Sequence, residues 1–231
     1  MTPEPTPAGT AAVRIWDLPT RLFHWTLAAA VAAAVVTAHV GGNAMEWHFR
    51  IGYLIFTLLA FRVLWGLVGG RWSRFAQFIY MPPTLLRYLR GGEVPGEHLD
   101  AGHNPLGSLS VFALLGLLLL QVGTGLIADD EIASQGPLNK FVAGATASQA
   151  STWHADIGQW ILLGLIGLHI AAIVYYGLRK KTDLVRPMLI GDKTLPAGTP
   201  PATDSAATRW FALALLALCA VGVRWVVNLG G

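Results

Sequence analysis

The chain has 231 residues, of which 54% are hydrophobic and only 13% are charged, whereas an average soluble domain has roughly 25% charged residues. This composition excludes a disordered chain and disfavours a water-soluble globule, and the small net charge of +3 argues against nucleic-acid binding. The single cysteine, Cys219, excludes an intrachain disulfide framework, a Cys-rich zinc or iron–sulfur site and the two-cysteine attachment motif of c-type haem. Nine tryptophans are typical of a protein anchored at membrane interfaces, so the composition predicts a polytopic helical membrane protein.

The predicted elements begin with residues 1–13, a Pro- and Thr-rich stretch that predicts a disordered tail and lacks the basic-then-apolar order of a signal peptide. Asp17–Leu18–Pro19 predicts the N-cap and first turn of the first spanning helix, and Asn104–Pro105 does the same for the third. Residues 191–206 predict a Pro-rich linker, after which residues 207–231 add a fifth helix to a four-helix unit. Each apolar run is close to the roughly 20 residues that a helix needs to cross hydrocarbon. The five runs cover about 22–41, 49–68, 106–128, 157–178 and 210–229.

Lysine and arginine are concentrated on one side of these runs, and this bias sets the expected orientation. The long loop on the other side, between the third and fourth runs, contains only Lys140. The distribution predicts a cytoplasmic N-terminus and a C-terminus on the opposite side of the membrane. The residues on the basic side are Arg14, Arg21, Arg71, Arg74, Arg87, Arg90, Arg179, Lys180, Lys181, Arg186 and Lys193.

Five of the seven histidines lie in or at the edges of the predicted spans, where ionisable groups are costly and are therefore functional candidates. The alternative for any one of them alone is a buried histidine bonded to a carbonyl. His154 and His169 are fifteen residues apart, which corresponds to about 22 Å along an α-helix and about 60° around it. This spacing suits two haems stacked across a bilayer, each needing a second imidazole from another helix. Span direction pairs His24 with His169 in the inner half, and leaves His48 and His39 as alternative partners of His154 at the outer edge.

The chain also contains a distinctive combination of segments: RIWDLPTRLFHW (14–25), HFRIG (48–52), FRVLWGLVG (61–69), GHNPLG (102–107), ADDE (128–131) and WH (153–154). Together with the late His169, they resemble the bacterial cytochrome b561 family, which includes the Ni,Fe-hydrogenase b-type cytochrome subunits. The resemblance covers about residues 14–190. It implies an all-α membrane protein: a four-helix transmembrane bundle that holds two b-type haems with bis-His ligation, to which the fifth helix is an addition.

Carried over to this sequence, the resemblance implies that His24 and His169 bind the inner haem and that His48 and His154 bind the outer haem. His39 is then not a ligand, and a surface position is favoured over a position beside a quinone. The fifth helix departs from the four-helix core and leaves an oligomer open.

Supporting residues follow from the chemistry of haem propionates, which are carboxylates that pair with arginine or lysine. Arg50 lies two residues past His48 and is expected at the outer haem. Arg62 lies roughly 21 Å deeper and is expected at the inner propionates, with snorkelling to the membrane edge as the alternative. His103 is expected near the inner haem edge or a quinone head, whereas His98 is expected to be a solvated loop residue.

The function implied by the resemblance is electron transfer across the bacterial inner membrane. A periplasmic partner, either a c-type cytochrome or a hydrogenase, is expected to exchange electrons with the outer haem, and a quinone to complete the path. The outer loop of about residues 129–150, with its acidic start, favours such a soluble partner. One alternative is superoxide oxidation with quinone as acceptor, which predicts a cationic outer funnel. A second is a haem-free transporter with histidine proton relays, which predicts acidic residues in mid-membrane, and the four main spans contain none.

Overall fold

The computed structural model describes residues 9–92, 99, 101–130 and 134–230. Within these residues, five helices are long and apolar enough to cross a membrane. The prediction of an all-α membrane protein with a fifth spanning helix is therefore confirmed. In chain order the elements are β1 (Thr10–Arg14), α1 (Leu18–Val40), α2 (Ala44–Val68), α3 (Pro82–Leu89), α4 (Pro105–Ile127), α5 (Gly144–Ser151), a π-helical segment (Thr152–Gly158), α6 (Gln159–Leu178), α7 (Val185–Ile190), β2 (Asp192–Pro196) and α8 (Ala206–Asn228).

The predicted caps start two of the spanning helices. The Asp17 carboxylate accepts a hydrogen bond from the backbone N–H of Thr20 at 2.8 Å and so caps α1. The Asn104 side chain accepts one from the Gly107 N–H at 2.8 Å and caps α4. A proline follows each cap in the first helical turn, where its missing N–H leaves no intrahelical bond unmade.

The fourth span differs from the expectation of a helix that starts near residue 157. Helical structure begins at Gly144 and continues through α5, the π-helical segment and α6 to Leu178. The added residues are rich in Ala, Ser and Thr, and hydropathy therefore does not reveal them as part of the span. His154 consequently lies inside a continuous helix.

The α2 helix contacts three other spanning helices, α1, α4 and α8. The α6 helix packs against α4. Trp65 of α2 is fully buried and stacks on Phe61 of the same helix, while Phe211 of α8 lies 6.2 Å from the Trp65 ring. The fifth helix is thus an integral part of the bundle, because it covers the most deeply buried aromatic side chain of α2.

A small two-stranded sheet closes the end of the bundle at which α1 begins, called here the N-terminal end. The strands are antiparallel, with Thr10 opposite Pro196 and Arg14 opposite Asp192. The expectation of disorder is thus wrong for residues 10–13, and the predicted linker contains β2; residues 1–8 lie outside the described residues. Backbone hydrogen bonds between β1 and β2 hold residues 10–14 and 192–196 together. The Arg14 side chain adds a hydrogen bond to Asp192 at 2.6 Å.

Asp204 ties the starts of α1 and α8 together at the same end. Its carboxylate accepts hydrogen bonds from the Leu18 N–H, from Arg14 and from Arg209. At the opposite end, called here the far end, the end of α8 reaches the loop after α4, where a Cβ on Gly230 would collide with the Pro137 carbonyl. The α8 helix therefore runs parallel to α1.

Candidate haem sites

The far end brings together the imidazoles of His48 from α2 and His154 from the π-helical segment. Their ring centroids lie 5.9 Å apart with the planes nearly perpendicular. Metal–imidazole bonds of about 2 Å place two opposed ligand rings about 6 Å apart, so the spacing fits a metal held between them. The two residues are both half-buried.

Backbone carbonyls fix the orientation of both rings. His48 Nδ1 bonds to the Ala34 carbonyl of α1 at 2.9 Å, and His154 Nδ1 bonds to the Gln121 carbonyl of α4 at 2.8 Å. A carbonyl oxygen can only accept a hydrogen bond, so each Nδ1 carries the donated hydrogen, and each Nε2 of the neutral ring carries the free lone pair. A hydrogen bond of this kind from the nitrogen that does not bind metal orients metal-binding histidines and raises their basicity.

Gln121 and Gly125 of α4 both contact His154 and fix its position. Gln121 Nε2 donates to the His154 carbonyl at 2.6 Å, and the π-helical segment frees that carbonyl from regular α-helical bonding. A Cβ on Gly125 would lie 2.8 Å from His154 Cε1, so only glycine leaves room for the ring. The sequence shows Gln121 only as a polar break in the third apolar run. Its spacing of four from Gly125, which places both on one helix face, is the signal that indicates their common role.

A cavity of about 400 Å³ opens beside these two rings. That volume lies within the usual range for cofactor pockets, and the lining is mainly apolar, as such pockets are. His39 lies at the cavity but is exposed, and its Nδ1 bonds to Val35 of its own helix at 2.9 Å. The structure thus places His48 against the His154 ring, and His39 at the cavity surface. Apolar lining residues include Val31, Ile55, Leu118, Val122 and Leu162.

The N-terminal end holds a second cluster, in which His103 lies close enough to Arg62, His24 and His169 to interact electrostatically with each of them. Burial, together with the charges of Arg62, His169 and His24, lowers the pKa of His103 to about 3. The His103 ring lies 4.4 Å from Phe78 and 4.8 Å from Trp16, centroid to centroid. His103 is therefore a neutral imidazole held between aromatic rings at neutral pH.

Orphaned polar atoms distinguish this cluster. His24 Nδ1, His103 Nδ1 and Arg62 Nη1 are buried and have no hydrogen-bond partner within the described part of the chain. The Arg62 guanidinium lies 4.7 Å above the Phe75 ring, and His169 Nδ1 has only a long contact of 3.4 Å to Ser110 Oγ. Leaving a buried polar group unpaired costs about 1–3 kcal/mol, and more for a charge. An anionic group that also bears a metal would supply what these residues lack, so the cluster fits a haem with its propionates near Arg62.

Arg50 is expected from the sequence to contact the outer haem, but the structure places its side chain elsewhere. Its side chain is 58% exposed, pairs with Glu46 at 2.5 Å and lies over the Trp47 ring. These contacts point it to the surface of the first turns of α2. His98 lies outside the described residues.

Comparison with known proteins identifies the family. A family model described as prokaryotic cytochrome b561 matches residues 15–191. The chain belongs to the prokaryotic cytochrome b561 family. Members are b-type cytochromes, so the family implies haem b and electron transfer, and membership favours these over the haem-free transporter.

Similar curated proteins include probable Ni/Fe-hydrogenase B-type cytochrome subunits from three bacteria. The subunit from Azotobacter chroococcum mcd 1 is 25% identical, with 78% of this chain and 88% of the relative covered. The one from Rhodobacter capsulatus is 25% identical, with 79% and 81% covered. The Ni/Fe-hydrogenase 1 subunit from Escherichia coli (strain K12) is 24% identical, with 72% and 82% covered. No solved structure matches the chain.

Proposed function

We propose that the protein is a dihaem b-type cytochrome that carries electrons across the bacterial inner membrane between a soluble redox partner and the quinone pool. The observation that carries the proposal is the pair of histidine sites at opposite ends of one continuous helix. His154 meets His48 at the far end, and His169 lies fifteen residues later beside the N-terminal cluster. That separation is about 22 Å along a helix, which spans most of the hydrocarbon thickness.

The chain's own residues would hold and tune the cofactors. Haem b, when bound, supplies a one-electron iron couple. His48 and His154 would bind the far haem through Nε2, because their Nδ1 atoms are committed to the Ala34 and Gln121 carbonyls. His24 and His169 would bind the other haem, with Arg62 balancing propionate charge. The mainly apolar lining of the far cavity would surround a bound haem with a medium of low polarity, which is one of the means by which a protein tunes the reduction potential of the iron.

The partner and orientation belong to the same proposal. Basic residues cluster at the N-terminal end, which supports a cytoplasmic N-terminus and a periplasmic C-terminus. The far end would then face a periplasmic hydrogenase or c-type cytochrome, and the similarity to Ni/Fe-hydrogenase cytochrome subunits favours a hydrogenase. A superoxide-oxidising site calls for a cationic funnel there, yet Arg50 is already paired with Glu46. The soluble-partner relay is therefore the better supported function, with a quinone as the membrane-side reactant.

Haem content and vectorial transfer test the proposal. The purified protein is expected to give two b-type haems per chain by pyridine haemochrome, and H154A/H169A is expected to give none. In proteoliposomes that enclose ferricyanide, external dithionite is expected to reduce the ferricyanide faster than in protein-free vesicles, and H154A is expected to abolish the difference. A single haem per chain, or ferricyanide reduction no faster than in empty vesicles, would contradict the dihaem relay.

A further inference from the structure

The short helix α3 lies at the N-terminal end, outside the haem clusters. Its Tyr88 hydroxyl is 3.0 Å from the Tyr176 hydroxyl near the end of α6. Asn104, the cap of α4, donates to the same Tyr176 hydroxyl at 2.9 Å. The Tyr88 bond fixes one face of α3 against the end of α6, and the Asn104 bond joins that point to the start of α4, which α3 also contacts. The α3 helix is therefore held at the level where those spans leave the hydrocarbon.

The opposite face of α3 is exposed and divided into two edges. Leu86 and Leu89 are 53% and 56% exposed, and at 100° per residue they lie about 60° apart on one edge. Arg87 and Arg90 are also exposed and lie on the other edge. Ile79 and Met81, just before the helix, extend the apolar surface. An apolar edge beside a basic edge is the pattern of a helix that lies in a membrane interface.

The basic edge contains a shallow cleft of about 350 Å³, lined by Arg87, Arg90, Leu86, Pro83 and Gly92. Neither guanidinium takes part in an ion pair within the described part of the chain. Arginine forms planar bidentate hydrogen bonds to phosphate and suits a headgroup at this position. The cleft thus places two arginine side chains beside an exposed leucine.

Further positive charge lies nearby on the chain. Tyr176, which α3 contacts, is followed by the exposed residues Arg179, Lys180 and Lys181. Each basic residue close to an anionic leaflet strengthens binding about fivefold. The charge at this end therefore complements an anionic bilayer surface, and the adjacent leucines favour lipid over a free anion.

We propose that α3 is an interfacial helix that binds anionic phospholipid through Arg87 and Arg90, with Leu86 and Leu89 embedded among the acyl chains. The helix would anchor the segment between α2 and α4 on the leaflet at the N-terminal end. This role concerns lipid recognition and holds whether or not the dihaem assignment is correct.

Lipid retention tests the headgroup contact. The holoprotein, purified in detergent and exchanged against mixed phosphatidylcholine and phosphatidylglycerol, is expected to retain phosphatidylglycerol selectively in native mass spectrometry. R87Q/R90Q is expected to weaken that selectivity about 25-fold, at about fivefold for each charge. The matched control K140Q/R224Q, which removes two exposed charges towards the far end, is expected to leave it unchanged. Equal loss in both variants would show general electrostatics and overturn the site, as would no loss in R87Q/R90Q. Displacement of the lipid by millimolar inorganic phosphate would mean that the cleft binds a free anion, which also contradicts the proposal.

Depth measurements test the apolar edge independently. In a C219A background, nitroxide labels attached to L86C and R87C are compared in phosphatidylcholine–phosphatidylglycerol nanodiscs. The label at position 86 is expected to be more accessible to oxygen, which partitions into lipid, and the label at 87 more accessible to a water-soluble nickel chelate. Equal water accessibility at both positions would place α3 outside the membrane. Protection of both positions from both reagents would indicate a protein partner and would equally overturn the proposal.

Discussion

At the far end, the His48 and His154 rings lie 5.9 Å apart and each Nδ1 bonds to a backbone carbonyl. In the N-terminal cluster, by contrast, the buried Nδ1 atoms of His24 and His103 have no hydrogen-bond partner among the residues that the structure describes. Protein contacts alone orient the rings at the far end. The N-terminal cluster contains a buried cation, Arg62, and imidazoles with unpaired nitrogens. A bound group would supply the hydrogen bonds and the negative charge that these side chains lack. The difference indicates that geometry is the main determinant of the far site and charge the main determinant of the other, and substitutions should therefore have different effects at the two ends.

The largest expected effect distinguishes the two candidate ligands at the far end. H48A is expected to lose one of two haems, because it removes the imidazole that faces His154. In the wild-type protein, the Nδ1 of His48 bonds to the Ala34 carbonyl and so orients that imidazole. H39A is expected to retain both, since His39 is exposed and bonds within its own helix. Pyridine haemochrome counts on the purified variants measure this. The reverse outcome would make His39 the partner of His154 and α1 a two-site clamp.

A single added methyl group is expected to disturb the same site. G125A places a Cβ 2.8 Å from His154 Cε1 and 3.1 Å from its Nδ1, so the ring must move away from the Gln121 carbonyl. Overpacking of this kind costs about 1–3 kcal/mol, which weakens haem retention about 5- to 150-fold. G123A is the matched control, because nothing lies within 4 Å of a Cβ at that position. Haem transfer to apomyoglobin measures retention, and similar loss rates for both variants would show that ring clearance is unimportant.

At the N-terminal end, charge is expected to change the reduction potential. R62Q removes a buried cation, so the oxidised iron is stabilised and the potential of one haem falls by on the order of 50–100 mV. R50Q removes an exposed cation that is paired with Glu46 and should shift either potential by less than about 20 mV. Redox titration of the visible spectrum resolves the two haems. Equal shifts in both variants would contradict the assignment of Arg62 to the propionates.

Much of the fold could be predicted because a membrane imposes a simple one-dimensional rule. The apolar runs, and the caps at Asp17 and Asn104, depend only on neighbouring residues, and the structure has them. The pairing of β1 with β2 depends on residues about 180 positions apart, and neither strand is long or apolar. The π-helical segment bonds to Gln121 of another helix through the His154 carbonyl, and this contact is not visible in the local sequence.

The candidate site was predictable to a different degree. Histidines inside apolar runs stand out because ionisable groups are costly there, and their roles as haem ligands stay predictions. The sequence gives Arg50 and Arg62 the same expected role at haem propionates, and the structure separates them: Arg62 is buried over Phe75, whereas Arg50 is exposed. The spacing of Glu46 and Arg50, four residues apart on α2, is the one local signal that indicates a surface ion pair.

The smallest expected effect is a change in melting temperature when one of two ion pairs, one at each end of the bundle, is removed. Burial alone would raise the pKa of Asp204, but hydrogen bonds from Arg209 and the Leu18 N–H, with the charges of Arg209 and Arg14, lower the pKa below its ordinary value of 3.8. A lowered carboxyl pKa stabilises the folded state above the ordinary pKa, and this contribution is lost as the pH falls through the folded-state pKa. D204N should therefore lower the Tm of the holoprotein by about 2–6 °C at pH 7, with the difference from wild type shrinking below about pH 4.

E46Q is the control for D204N. The side chains of Glu46 and Arg50 are both exposed, and exposed ion pairs contribute little to the free energy of unfolding. A Tm change under about 1 °C at either pH is expected for that variant. If E46Q matched D204N, or if the D204N difference were as large at pH 3 as at pH 7, the carboxylate of Asp204 would not be what joins α1 to α8. The N-terminal end would then depend on the apolar contacts of the β1–β2 cap, where Ile15 and Leu195 are buried.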